Sequence, residues 1–469
     1  MEKTSTSSSL KLNYKRTFLI GFAFFGILLL WQVYDSWCPT FLTEILKTKM
    51  PGTPSELDVQ WIVGIIMACD NLAALILLPI FGRLSDKTKT PIGKRMPYIL
   101  LGSMISAIAF PFIPLFFHMN NIAGMVVMMA VVLIFMMMYR NPAVSLMPDI
   151  TPKPLRAKAN GIINIMGYLG GACATVLGLF LVLTKYLKGP APYLNNIWII
   201  ELPFIIASIL IVASSLVLAF TIKENKLQEE LKDELQRGEA LAEIENPLEE
   251  DKPLSRKNRI MLFGILIAEF LWFMADNAVG TYLVNYVFYY CFAQSSAATL
   301  LIILGGVASV AGFATAGFLA DKIGRKFTVV IGLGLSVIAY VLMFFVKPSG
   351  TDIDNLSSSL PIIMYIVWVV KGYGMALVHN CSFPMVVELS TGKTIGKFTG
   401  YYYAASMSAQ TITPVLLGLI FKISGLWNVL PYYAGVLTTI SFLVFFFMVK
   451  NIKAKKLDNA KGLEALGDD

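Results

Sequence analysis

The sequence predicts an all-α polytopic membrane protein, with twelve transmembrane helices arranged as two pseudo-symmetric six-helix bundles. Three observations carry this expectation. Of the 469 residues, 56% are hydrophobic and only 14% charged, with a mean hydropathy of +0.68, so there is more apolar surface than one soluble core can hide. Twelve stretches are long and apolar enough to cross a bilayer. Finally, Trp31-x-x-x-Asp35 in the first stretch recurs as Trp272-x-x-x-Asp276 in the seventh.

In order, the stretches lie near residues 17–46, 59–81, 97–117, 123–142, 159–183, 197–220, 259–289, 297–319, 328–346, 360–386, 397–420 and 428–450. In hydrocarbon each must be helical, because a helix satisfies its backbone groups within its own segment. The first is too long for a removable signal peptide and lacks a small-residue cleavage site, so it is read as the first span. The chain thus divides into an N-terminal tail (1–16), a first bundle (17–220), a linker (221–258), a second bundle (259–450) and a C-terminal tail (451–469).

Orientation follows from the basic residues. Thirty of the 38 Lys and Arg fall in the tails, the linker and the loops on their side, while Lys47, Lys49, Lys185, Lys188, Lys347 and Lys422 lie opposite. Arg140 and Lys371 are inside spans. Positive loops stay in the cytoplasm, so both termini are expected inside a plasma membrane. The net charge of +8 is then a topology signal that would also attract anionic lipid. It gives no ground for nucleic-acid binding.

Cys38, Cys69, Cys173, Cys291 and Cys381 lack paired spacing and are read as small buried hydrophobes, not disulfides or metal ligands. In the linker, Leu227, Leu231 and Leu235 predict one amphipathic helix on the cytoplasmic side, ended by Pro247 and Pro253. It is read as a solvated tether. The glycines of span five, Gly161, Gly167, Gly170, Gly171 and Gly178, predict close approach to a partner helix.

The halves repeat. A shift of 241 residues sets Trp31, Asp35, Thr40 and Leu42 on Trp272, Asp276, Thr281 and Leu283. A shift of 239 sets Arg140, Asn141, Asp149, Lys158 and Gly161 on His379, Asn380, Glu388, Lys397 and Gly400, and one of 235 sets Gly82 and Asp86 on Gly317 and Asp321.

Gly82-Arg-Leu-Ser-Asp86 through Gly93-Lys94-Arg95, and Gly317-Phe-Leu-Ala-Asp321-Lys-Ile-Gly324-Arg325-Lys326, resemble the signature loop of the major facilitator superfamily, the first with an insertion before Gly93. That resemblance covers the whole chain and implies the superfamily fold, with a conformational role for Gly82, Asp86, Arg95, Gly317, Asp321 and Arg325. Physically, Gly admits close helix approach, and Asp pairs with basic groups and a helix N-terminus. Pro91 to Leu100 resembles the sucrose/proton carriers. Asn141-Pro-Ala-Val-Ser-Leu-Met-Pro-Asp149 and Arg156-Ala-Lys-Ala-Asn160-Gly161 are similar to the glycoside-pentoside-hexuronide cation symporters. These likenesses imply cation-coupled uptake of a glycoside. The aspartates that melibiose carriers use for sodium correspond to Ala74, Leu78 and Arg140, which turns the expectation from sodium to protons.

Ionisable groups inside a bilayer cost roughly 2.5–3.5 kcal/mol each on insertion scales and need a reason to be there. They are Asp35, Asp70, Arg140, Glu269, Asp276, Lys371 and His379. Asp35, Asp276 and Asp70 are the candidate proton sites, and Lys371 is expected to pair with an acid such as Asp276 or Glu269. Sugars are held by carboxylate, amide and guanidinium groups and by aromatic faces. Candidate substrate residues are therefore Trp31, Asp35, Arg140, Asn141, Asn164, Trp272, Asp276, Asn277, Lys371 and Asn380. Most of Tyr401, Tyr402 and Tyr403 are assigned to the interfacial belt, and His118 to an external loop.

No nucleotide-binding loop, nucleophile elbow or metal cluster stands in the sequence, so neither an enzyme nor a cofactor is expected. The expectation is a monomeric secondary transporter whose partners are membrane lipid and a small-molecule substrate, a disaccharide-class glycoside, with the proton as coupling ion. The alternative is an exporter or a carrier of a non-sugar molecule on the same fold.

Overall fold

The computed structural model describes residues 10–52, 55–182, 197–245, 255–389 and 395–450. The first bundle consists of α1 (Tyr14–Lys49), α2 (Glu56–Lys87), α3 (Met96–Ala109) continued by α4 (Phe112–His118), α5 (Ile122–Asp149), α6 (Arg156–Phe180) and α7 (Ile197–Thr221). The linker forms α8 (Glu224–Glu230) and α9 (Lys232–Glu245). The second bundle holds α10 (Arg256–Asn285), α11 (Ser295–Ile323), α12 (Arg325–Met343), α13 (Ile362–Glu388), α14 (Ile395–Ser424) and α15 (Val429–Met448). With α3 and α4 taken as one, twelve helices are long and apolar enough to cross a membrane.

Local chemistry sets the helix starts. Asn13 and Asn121 side chains accept from the Arg16 and Gly124 amides, and Asp58 accepts from the Ser55 amide at the head of α2, satisfying donors that a helix N-terminus leaves unpaired. The outward faces are apolar: Ile108, Phe180, Phe220, Val310, Phe318 and Phe447 are all exposed, as helices facing lipid require.

In the first bundle α1 is central, packed against α2, α5, α6 and α7, while in the second α10 packs on α14 and α15, and α13 on α11 and α12. The span-five glycines explain the α1–α6 contact. A Cβ on Gly170 would lie 2.1 Å from the Phe25 carbonyl oxygen, and one on Gly167 2.6 Å from Leu28. Gly161 and Gly171 face open space, so only part of the glycine run does this packing.

Three expectations need correction. The linker is two helices that bend at Leu231, although the Leu231 and Leu235 amides still bond to the Leu227 and Leu231 carbonyls. Its predicted stops, Pro247 and Pro253, lie outside the described residues. Cys69 and Cys173 are exposed while Cys38, Cys291 and Cys381 are buried, all five being free. A thiol is apolar enough for a lipid-facing surface as well as a core. His118 closes α4 and is buried, its Nδ1 2.7 Å from Glu201 Oε1, because α4 turns it inward onto α7.

Candidate functional site

Each span has one end on the side of the linker, the linker end, and one on the opposite side, the far end. Among the described residues, the side-chain bonds that join the bundles lie at the far end. Thr40 donates to Asn285 Oδ1 at 2.9 Å and the Asn285 amide donates to Thr43 Oγ at 3.2 Å. Within the first bundle, Gln60 of α2 donates to the same Thr43 at 3.2 Å. Tyr289 donates to Glu44, and Trp427 Nε1 to Glu56 at 3.3 Å. Backbones also meet there: a Cβ on Gly64 would stand 2.1 Å from the Pro414 carbonyl oxygen, and one on Gly418 2.5 Å from that of Gln60. The far end is sealed by polar and backbone contacts together.

Below the seal lie the intramembrane charges. On α10 and α13, Asp276 Oδ1 meets Lys371 Nζ at 2.5 Å, so of the two acids proposed for Lys371 the structure selects Asp276. His379 lies within electrostatic reach of both. Its ring stands edge-on to Trp272, centroids 4.6 Å apart, and Trp272 stacks on Phe273 at 4.0 Å. Trp272 is buried, whereas its repeat mate Trp31 is half-buried and edge-on to Tyr34. The two Trp-Asp copies therefore have different surroundings: Asp276 is bound to a lysine, while Asp35 is exposed.

The other candidates are scattered. Asn380 is exposed, and Arg140, Asn164 and Asn277 are half-buried. Asn277 Oδ1 has no hydrogen-bond partner. Asn141 donates to the Leu78 carbonyl on α2, and Gly82 makes the room, since a Cβ there would sit 2.5 Å from the Asn141 amide nitrogen. Asp70 lies on α2 with its side chain outside the described residues. Tyr401 and Tyr403 are exposed but Tyr402 is buried, sharing a 2.8 Å hydrogen bond with Ser382. Sequence reading also passed over a cavity between α1, α6, α10 and α11, lined by Gln32, Ser36, Trp37, Thr175, Ser295 and Thr299.

The signature loops show the duplication as chemistry. Arg95 pairs with Asp86, donates to Asp149 at 2.9 Å and to Ser85 at 2.5 Å, while Lys94 lies 3.1 Å from Asp149. Burial alone would lower the Arg95 pKa, but Asp149 and Asp86 outweigh it and hold the guanidinium above its usual value. In the other half Arg325 pairs with Glu388, the repeat mate of Asp149. The first half adds a partner the sequence did not reveal. Glu224 of α8, fully buried, accepts from the Arg95 and Met96 amides at 2.9 and 3.2 Å. Gly93, at φ +124°, lies where a Cβ would strike this carboxylate.

Two six-helix bundles sealed at one end and carrying charged groups at mid-depth define a polytopic membrane carrier. The sequence model of the Major Facilitator Superfamily matches residues 20–353 and again 293–466. The chain belongs to that superfamily; it is a membrane transporter of small molecules and not an enzyme. It is 22% identical over 457 residues to a lactose permease of Leuconostoc lactis, covering 90% of this chain and 68% of that one. Its fold is similar to the inward-open xylose transporter XylE of E. coli, with a TM-score of 0.65, 16% identity and coverage of 94% and 98%. It is also similar to a peptide transporter, POT, with a TM-score of 0.64, 14% identity and coverage of 93% of each chain.

Proposed function

We propose that this protein is a monomeric, proton-coupled secondary transporter that takes up a glycoside of the disaccharide class by alternating access, with both termini in the cytoplasm and no cofactor beyond the proton. Within the superfamily it is assigned to the glycoside-pentoside-hexuronide and sucrose/proton branch. The observation that carries this reading is the Asp276–Lys371 pair at mid-depth, with Asp35 as its repeat mate on α1. In the empty site each charge of the pair neutralises the other. A proton arriving on Asp276 frees the Lys371 ammonium to donate to a sugar hydroxyl, so proton and substrate are bound together. With the far end sealed, the site communicates with the linker end, which the distribution of Lys and Arg makes cytoplasmic. The likeness to a lactose permease supports the sugar class.

Uptake of a labelled disaccharide panel, lactose included, into proteoliposomes with an imposed pH gradient tests the reading. Accumulation driven by the pH gradient and indifferent to sodium at fixed pH is expected. No sugar uptake, or equal drive by sodium, refutes it, and efflux of lipophilic compounds instead would establish the exporter alternative.

A further inference from the structure

Glu269, on α10, is fully buried, and neither carboxylate oxygen has a hydrogen-bond partner. Trp272, one turn further along α10, belongs with Cys381, Met385, Tyr402 and Phe445 to one apolar cluster of the second bundle. Three helices that pack on α10, namely α13, α14 and α15, bring polar groups to this part of the bundle. From α14 the titratable group facing it is Tyr402, whose hydroxyl is already shared with Ser382 of α13. From α13, His379 stands edge-on to Trp272, and the Cys381 thiol belongs to the same apolar cluster as Trp272. From α15, Ser441 spends its hydroxyl on the Ala268 carbonyl at 2.7 Å. Among the described residues no cation pairs with Glu269.

A carboxylate shielded from solvent, with no hydrogen-bond donor and no counter-ion among the described residues, is costly to ionise, and a group so placed takes up a proton instead. Its position on the helix adds a second argument. Glu269, Trp272 and Asp276 are spaced i, i+3, i+7 and so share one face of α10, with the two acids about 10 Å apart along the axis. Glu269 is the one nearer the linker end.

From this burial and register we infer that Glu269 is a second proton-binding site, separate from the Asp276–Lys371 pair, that carries its proton in the far-end-closed conformation. Its place in the transport cycle rests on the proton-coupled reading above, as the carboxyl through which a proton passes between the pair and the linker end.

Infrared difference spectroscopy on the purified full chain in lipid nanodiscs, without substrate, reads the protonation directly. The expected result near neutral pH is a protonated-carboxyl stretching band that shifts in heavy water, persists in Asp276→Asn and disappears in Glu269→Gln. A wild-type protein without that band, or a band that survives Glu269→Gln, overturns the inference. Glu269→Leu fills the space with no titratable group. It must lose the band while keeping the thermal transition, which separates loss of a proton site from loss of fold. In proteoliposomes carrying whichever disaccharide the panel accepts, Glu269→Gln is expected to keep exchange while accumulation under a pH gradient falls to unity; wild-type accumulation in that variant removes Glu269 from the cycle. A wild-type protein with the band but no pH-driven accumulation counts against the proton-coupled reading, while the site itself stands.

Discussion

Asn285 offers the most direct perturbation of the far-end seal. Its side chain accepts from Thr40 and donates to Thr43, at 2.9 and 3.2 Å across the bundle interface, so Asn285→Ala removes both bonds without touching the charges at mid-depth. A neutral buried hydrogen bond contributes about 0.5–1.5 kcal/mol net, and two therefore amount to about 2 kcal/mol. That shifts the balance between closed and open far ends by about 30-fold. The remaining ties, Tyr289 to Glu44, Trp427 to Glu56 and the α2–α14 backbone contact, keep the fold intact. Spin labels on Lys49→Cys and Ile423→Cys, at the far ends of α1 and α14, with exposed Cys69 and Cys173 replaced by Ser, report the two populations by pulsed electron resonance. The long-distance fraction should rise relative to the short one by that order. A ratio unchanged by Asn285→Ala refutes the idea that these hydrogen bonds hold the far end closed.

Other substitutions test other links. Asp276→Asn leaves Lys371 without its counter-ion. A fully buried pair broken this way costs about 3–5 kcal/mol, and with the side chains 29% and 17% exposed a loss of about 2 kcal/mol is expected. Adding Lys371→Met should recover most of it in thermal unfolding. Glu224→Ala strips a charged acceptor from the first amides of α3, at about 2 kcal/mol. Hydrogen exchange at Arg95 and Met96 should then quicken by about 30-fold. Gly170→Ala forces a methyl onto the Phe25 carbonyl and should destabilise by about 1–3 kcal/mol. Gly171→Ala, facing open space, should instead stabilise by up to about 1 kcal/mol, and their melting temperatures should move in opposite directions.

The spans were legible because lipid imposes a one-dimensional rule: an apolar run of sufficient length must be a helix. The pairing of Lys371 was legible for a related reason, since a charge at mid-depth demands a partner, though only coordinates could choose Asp276 over Glu269. Side-chain direction was not legible. Trp31 and Trp272 occupy equivalent positions in the repeat, yet one is half-buried and the other sealed under His379 and Phe273, because neighbours from other helices decide what a face touches. The far-end network escaped for the same reason. Thr40, Thr43, Gln60 and Asn285 are unremarkable in sequence, and their polarity gains meaning only when α1, α2 and α10 converge. Glu224 was hidden by composition, one acid among many in a charged linker, and its contact partner lies 129 residues away.

The buried Glu224 also changes what the linker is mechanically. With Glu224 holding the start of α3, Asn225 donating to the Thr90 and Pro91 carbonyls and Gly238 against Pro152, α8 and α9 travel with the first bundle as cargo. The covalent connection between the bundles then runs from Glu245 to Ser255, a length of chain that at full extension reaches about 35 Å. That length bounds how far the linker ends of the two bundles can separate at this seam. It also marks where the chain could be divided in two, each bundle keeping the contacts that define it.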